Sequence, residues 1–275
     1  MVSRSRVITA AVFSLTTAAL ILVSPLTTML AVAALSGLCA FEFYAMLRSD
    51  AKLPNELIGT AAAALYPVSY YFWSFNGILS LTTAFAVVLL IWYVYYTPAR
   101  ITDAAITLFG ALYTGLMLTC LVQIRQIPTV DAGFVLPDFW GGLLVLIIVV
   151  STWANDAAAF IIGSRVGKHK MAPRISPSKS WEGFLAGLVA SVALWCLIPL
   201  IPGVNLSWGW TICGGILCGW VGILGDLVES RIKRSTGHKD SSKLLPGHGG
   251  FLDRCDSLIL VAAMASLLIR LAGSV

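Results

Sequence analysis

Apolar residues run along this chain in blocks of about twenty, and the polar residues gather in the gaps between them. At 1.5 Å rise per residue, about 20 apolar positions cross a bilayer core of about 30 Å as a helix. Nine blocks qualify, at roughly 7–23, 26–47, 57–73, 77–96, 104–124, 139–163, 182–201, 207–229 and 256–272. Pro54, Pro98, Pro128, Pro137, Pro177, Pro202 and Pro246 all fall in the gaps, where a residue without an N–H disturbs no helix. The pattern predicts an all-α polytopic membrane protein of about nine transmembrane helices. It divides into an amino-terminal membrane region, 1–138, with about five helices, and a region 139–275 with about four helices and two long polar loops. Arg4 and Arg6 precede the first block, but Ser24-Pro25 leads straight into the second, so residues 1–23 read as a retained helix and not as a cleaved leader.

Composition agrees with that reading. The 275 residues are 58% hydrophobic and 11% charged, against roughly 25% charged in soluble domains. The six cysteines, at 39, 120, 196, 213, 218 and 255, lie mostly inside apolar blocks and form no CxxC pair, which indicates neither zinc nor a disulfide framework.

Charge fixes the expected orientation. Of the 18 basic residues, all but Arg125 and Arg270 fall in the amino-terminal tail or in connections on the same side of the membrane. Under the positive-inside rule that side is cytoplasmic and the carboxyl end lies outside. The net charge of +5 is this one-sided belt, which attracts anionic headgroups and anionic soluble ligands.

Two cytoplasmic loops carry more than a belt. The first is GSRVGKHKMAPRISPSKSWEG, Gly163 to Gly183. It is not a Walker A loop, because three residues separate Gly163 from Gly167 and His169 stands where a magnesium-binding hydroxyl belongs. Arg174, Ser176, Ser178, Lys179 and Ser180 instead precede a helix beginning near Trp181. Basic side chains and hydroxyls at a helix amino terminus suit a phosphate, and Ser180 also suits an N-cap.

The second loop runs from Gly225 to Asp256. Asp226 and Glu229 share a helix face at the end of the eighth block, Asp253 and Asp256 repeat that spacing at the start of the ninth, and Asp156 lies about two turns from the inner end of the sixth. An ionised carboxylate in hydrocarbon costs on the order of 3 kcal/mol, so five acids near three helix ends require partners. Neighbouring Lys and Arg account for Glu229 more readily than for the set. Oxygen ligands without a His or Cys constellation favour a hard cation such as magnesium, with Asp226 and Asp253 as principal ligands and Asp156 and Asp256 as supporting ones. Gly247, Gly249 and Gly250 let the backbone approach phosphate oxygens closely, with His248 ordering the turn or donating a hydrogen bond.

The stretch SRIKRSTGHKDSSKLLPGHGGFLDRCD, Ser230 to Asp256, closely resembles the signature of the phosphatidate cytidylyltransferases, integral-membrane CDP-diacylglycerol synthases. Ser230, Lys233, Arg234, Lys239, Asp240, His248, Gly249, Gly250, Asp253, Arg254 and Asp256 match it; Cys255 departs, standing where an aliphatic residue, Phe or Thr is usual. GKHKMAPRISPSKSWEG, GDLVES and Asn155-Asp156 are similar to further segments of that family, whereas the first five blocks match in size and hydropathy only.

The resemblance implies transfer of a cytidylyl group from CTP to phosphatidate in phospholipid synthesis, at a site facing the cytoplasm in a bacterial inner membrane. It implies Asp226, Asp253, Lys239, His248, Arg254 and Asp156 as the catalytic set. Arg174, Ser176, Ser178, Lys179, Lys243, Gly247, Gly249 and Gly250 become the substrate-binding set, with Asp226, Asp253, Asp256 and Asp156 on magnesium. It allows a second, monovalent cation such as K+ and a homodimer, and it involves no nucleic acid. A CTP-dependent polyprenol or phytol kinase would want a base beside the acceptor hydroxyl. An ion-coupled transporter would want charges at mid-membrane and a repeated fold; here the acids crowd one face.

Overall fold

The computed structural model describes residues 4–48, 52–127, 139–173, 175–238, 240–242, 244 and 249–273, with backbone alone for 4–11 and 13. The helices are α1 (Arg4–Val23), α2 (Pro25–Arg48), α3 (Glu56–Tyr95), α4 (Ile101–Ala111), α5 (Met117–Arg125), α6 (Phe139–Val166), α7 (Trp181–Trp195), α8 (Trp208–Ser235) and α9 (Leu252–Leu271). A π-turn, Leu112–Leu116, joins α4 to α5, and two short strands, β1 (Lys170–Ala172) and β2 (Ser176–Ser180), precede α7. Among the described residues six helical stretches are long and apolar enough to cross a membrane: Pro25–Arg48, Glu56–Tyr95, Ile101–Arg125, Phe139–Val166, Trp181–Leu200 and Trp208–Ser235. Apart from the β1–β2 hairpin, the described residues are those of an all-α membrane protein.

The blocks at 57–73 and 77–96 both lie in α3, which is broken at Ser74 (φ 50°, ψ −137°). In a straight helix Tyr66 and Thr82 would stand about 24 Å apart. Their hydroxyls are 3.0 Å apart, so the chain doubles back at Ser74. A non-glycine residue held there costs about 1–3 kcal/mol. Ser74→Gly is therefore expected to stabilise the protein by about 1 kcal/mol, the remainder being offset by glycine's freedom in the unfolded chain. An unchanged or lowered thermal midpoint in detergent would contradict this.

Two compact units emerge from the packing. One comprises Met1–Leu20, Leu26–Gln123 and Lys233–Cys255; the other comprises Ile21–Pro25, Ile124–Ile232 and Asp256–Val275. In the first, Ala62, Tyr66, Phe85, Leu89, Ala104 and Ala111 form a buried cluster from α3 and α4. α2 joins α4 through the buried Tyr44, whose hydroxyl donates to the Thr107 carbonyl at 2.6 Å. The connection into α3 is tied down by polar bonds: Asn55 caps the helix by accepting from Ile58 N at 3.0 Å, and Asp103 accepts from Leu53 N at 3.1 Å and Arg100 N at 2.8 Å.

In the second unit α6 packs along α7, and Asn155 of α6 donates to the Gly219 carbonyl of α8 at 3.3 Å. Arg125, one of the two basic residues outside the basic belt expected from the sequence, is 2% exposed and donates through Nε to the Ile21 carbonyl at 3.2 Å. A Cβ at Gly141 would lie 2.8 Å from the Arg125 carbonyl oxygen. The arginine is a buried tie at a helix end, which explains its place off the belt.

Two polar segments differ from the sequence expectation. The loop before α7 holds an antiparallel hairpin with Lys170 opposite Ser180 and Ala172 opposite Ser176. α8 runs to Ser235 where the apolar block ends near 229, and α9 starts at Leu252, not at 256. Apolar blocks mark bilayer thickness, and helices continue beyond it where polar turns are solvated and Asp253 meets the positive end of α9.

Candidate active site

A cavity of about 400 Å³ opens in the second unit, lined from α6, the hairpin, the start of α7 and α8. Its polar lining includes Asp156, Lys170, Ser178, Lys179 and Asp226, and Phe160, Met171 and Phe184 supply apolar wall. Lys179 Nζ lies 2.6 Å from Asp226 Oδ2 and donates to the Ile223 carbonyl at 3.4 Å. Asp226 Oδ1 accepts from Ser230 Oγ at 3.1 Å, one turn further along α8. Asp156 Oδ1 accepts from Ser257 Oγ at 3.4 Å. Ser176 and Ser178 point to the same side of β2, with their hydroxyl oxygens 3.4 Å apart.

Close backbone approach shapes this cavity. A Cβ at Gly163 would lie 3.0 Å from Ser180 Oγ, and one at Gly167 would lie 2.8 Å from Ser180 Cβ. The glycines of GSRVG thus let the end of α6 meet the amino end of α7, where Ser180 is the N-cap and accepts from Gly183 N at 3.2 Å. A Cβ at Gly225 would collide with the Asp256 carbonyl and lie 3.0 Å from Ser257 Cα. The glycine before Asp226 therefore lets α8 touch the backbone of α9 beside Asp256, whose Oδ1 accepts from Ser257 N at 2.7 Å.

A second polar cluster lies in the first unit, around Asp253. Its Oδ1 pairs with Lys233 Nζ at 2.6 Å. Its Oδ2 accepts from Ser241 N at 2.9 Å, Ser241 Oγ at 2.8 Å and Gly250 N at 2.8 Å. Gly249 has φ +78°, the left-handed conformation that favours glycine. Gly250 is closely packed: a Cβ there would collide with Ser241 Oγ and with the carboxylate of Glu42.

Glu42 belongs to none of the candidate sets drawn from the sequence. It lies on α2 and is 1% exposed, with Ser241, Ser242, Phe251 and Leu252 donating to its two oxygens. The signal was available: an acid inside the apolar block AFEFYAM needs partners as much as any acid at a helix end.

The predicted residues thus fall into groups. Asp156, Ser178, Lys179 and Asp226 line the cavity, with Ser176 adjacent in β2 and Asp256 beside Gly225. Asp253, Gly249 and Gly250 share the second cluster, and Arg254 is exposed in the first turn of α9. Arg174, Lys239, Lys243, Gly247 and His248 lie outside the described residues. Glu229 is fully buried in α8. Asp226 and Asp253 both carry a lysine partner, so ion pairing extends to the two acids for which it was least expected. Among the described residues no three His, Cys, Asp or Glu side chains stand together as a ready-made metal cage.

Comparison with known proteins bears on this arrangement. The model of the cytidylyltransferase family matches residues 4–272. The chain is 29% identical to a phosphatidate cytidylyltransferase of Bacillus subtilis over 98% of both chains. It is 34% identical to phosphatidate cytidylyltransferase 5, chloroplastic, of Arabidopsis thaliana, over 88% of this chain and 66% of the relative. It is likewise 34% identical to a phosphatidate cytidylyltransferase of Haemophilus influenzae, over 70% of this chain and 58% of the relative.

Proposed function

The chain belongs to the cytidylyltransferase family, and from that membership we infer that it converts CTP and phosphatidate to CDP-diacylglycerol and pyrophosphate, a step of phospholipid synthesis. The structural observation that carries the reading is the cavity: two carboxylates, two lysines and three serines line it together with Phe160, Met171 and Phe184. That combination suits a triphosphate meeting a lipid phosphate whose acyl chains remain among apolar helices.

An oxygen of the phosphatidate phosphate bonds to the α-phosphorus of CTP. The bond from that phosphorus to the oxygen bridging to the β-phosphate breaks, and pyrophosphate leaves with that oxygen and its electron pair. A phosphate monoester has its second pKa near 6, so the nucleophile is already ionised and no strong general base is required. Two anions must instead be brought together and aligned, which asks for cations and in-line positioning. Lys179, Lys170 and Ser178 line the cavity, and in this reading the lysines neutralise phosphate oxygens while the serine donates to them.

Magnesium fits the cavity by the chemistry of its donors. Asp156 and Asp226 would hold it, phosphates of CTP would complete its shell, and the Lys179 ammonium at Asp226 already marks a place for positive charge. Bound there, it would offset the charge that builds on departing pyrophosphate. The resemblance of the second loop to the family signature adds Asp253, Asp256, Arg254 and its glycines to the proposed transfer machinery.

We place nine transmembrane helices in a bacterial inner membrane, with the amino terminus and both long polar loops on the cytoplasmic side. The confinement of all but two of the 18 basic residues to one side supports that placement.

Labelled CTP tests the reaction. With purified protein, magnesium and phosphatidate, label on the α-phosphate is expected to enter the lipid product. Label on the γ-phosphate entering a polyprenol instead would make the protein a kinase and overturn the proposal.

A further inference from the structure

We propose that Glu42 is a positioning residue for cytidylyl transfer, holding Asp253 and the glycine turn in their working geometry from a helix remote in sequence. The inference rests on the reading of Asp253 as part of the transfer machinery.

Glu42 reaches two separate stretches of the signature loop at once. Its Oε1 accepts from Ser242 Oγ at 2.6 Å and Phe251 N at 3.0 Å. Its Oε2 accepts from Ser241 Oγ at 2.9 Å and Leu252 N at 2.8 Å. Residues 241–242 are thereby fixed against residues 251–252, the entry to α9. An ordinary helix cap would need a single acceptor at one end only. Burying a carboxylate is costly unless its lone pairs are met by donors, and here all four donors come from this one loop.

The connection to Asp253 is direct. Ser241 Oγ lies 2.9 Å from Glu42 Oε2 and 2.8 Å from Asp253 Oδ2. The single Ser241 hydroxyl proton is therefore shared between two carboxylate oxygens, one on Glu42 and one on Asp253, and Lys233 meets Asp253 on its other oxygen. Moving Glu42 shifts Ser241, and with it the side chain that sets the orientation of Asp253. Gly250 admits this contact, since any side chain there would occupy the space of the Glu42 carboxylate.

Glutamine cannot replace the group. It offers one oxygen, and its amide nitrogen would confront either Phe251 N and Ser242, or Leu252 N and Ser241. Aspartate is one methylene short of spanning both pairs.

The test uses full-length enzyme in mixed micelles with phosphatidate, CTP and magnesium. The variants are Glu42→Gln, Glu42→Asp, Ser241→Ala and the double variant Glu42→Gln/Ser241→Ala, with Asp253→Asn alongside. Glu42→Gln is expected to lower kcat per folded molecule about 10- to 100-fold, as loss of groups that orient reacting side chains does, while KM for CTP changes little. Glu42→Asp should recover part of the loss. The double variant should fall no further than the weaker of its two single variants, because both remove one connected unit.

Unchanged kcat per folded molecule in Glu42→Gln, with only the yield of folded protein reduced, would make Glu42 a stability element and overturn the proposal. Additive losses in the double variant would also overturn it, by separating Glu42 from Ser241. If Asp253→Asn itself remains active, the underlying reading of the site fails instead.

Discussion

Asp226→Asn is expected to reduce turnover by about three orders of magnitude while leaving the protein folded. The substitution keeps shape and removes charge at the cavity wall, where Asp226 lies with a third of its side chain exposed. A magnesium ion acting on phosphoryl oxygens contributes several kcal/mol, and each 1.36 kcal/mol is tenfold in rate. The stability side is small: the pair with Lys179 is partly solvated, and such pairs contribute about 0–1 kcal/mol. The Ser230 hydroxyl can still donate to the remaining amide oxygen. The measurements are steady-state turnover across a magnesium titration and a thermal midpoint. Turnover within a fewfold of wild type at all magnesium concentrations would remove Asp226 from the reaction.

The membrane class was legible because twenty-residue apolar blocks have one physical use, and the proline-marked gaps separated them. The break at Ser74 was visible for the same reason: SFNG interrupts two apolar runs, although the helix restarts at once. The helix ends were not legible. α8 outlasts its apolar block by a turn and a half, because Ser230, Lys233 and Arg234 form good helix where lipid no longer dictates composition. The short hairpin before α7 was hidden for a different reason. Strands of three and five residues, KMA and SPSKS, carry no alternation to detect. Asp156 of α6, Lys179 of β2 and Asp226 of α8 line one cavity. Glu42 is harder to read from sequence because its donors lie about 200 residues away along the chain and only the fold brings them together.

Asp253→Asn should also abolish turnover, but with a structural signature that Asp226→Asn lacks. Asp253 accepts from four donors: Lys233 on Oδ1, and Ser241 N, Ser241 Oγ and Gly250 N on Oδ2. Asparagine has one oxygen for them. Turned one way, its NH2 faces the Lys233 ammonium; turned the other, it faces two backbone N–H groups and the serine hydroxyl. Either rotamer strands donors in a site where the acid is 8% exposed, and each such loss costs about 1–3 kcal/mol. The helices are held by packing elsewhere and should remain, so the expected change is local. Hydrogen exchange at the Ser241 and Gly250 amides should accelerate, whereas amides in the middle of α6 and α8 keep their protection. Lost turnover together with faster exchange at those two amides would show that Asp253 orders the loop as well as serving the reaction. Lost turnover with unchanged exchange would assign the whole effect to charge at the reacting phosphates. Turnover close to wild type would remove Asp253 from the reaction, because asparagine cannot supply the carboxylate's charge.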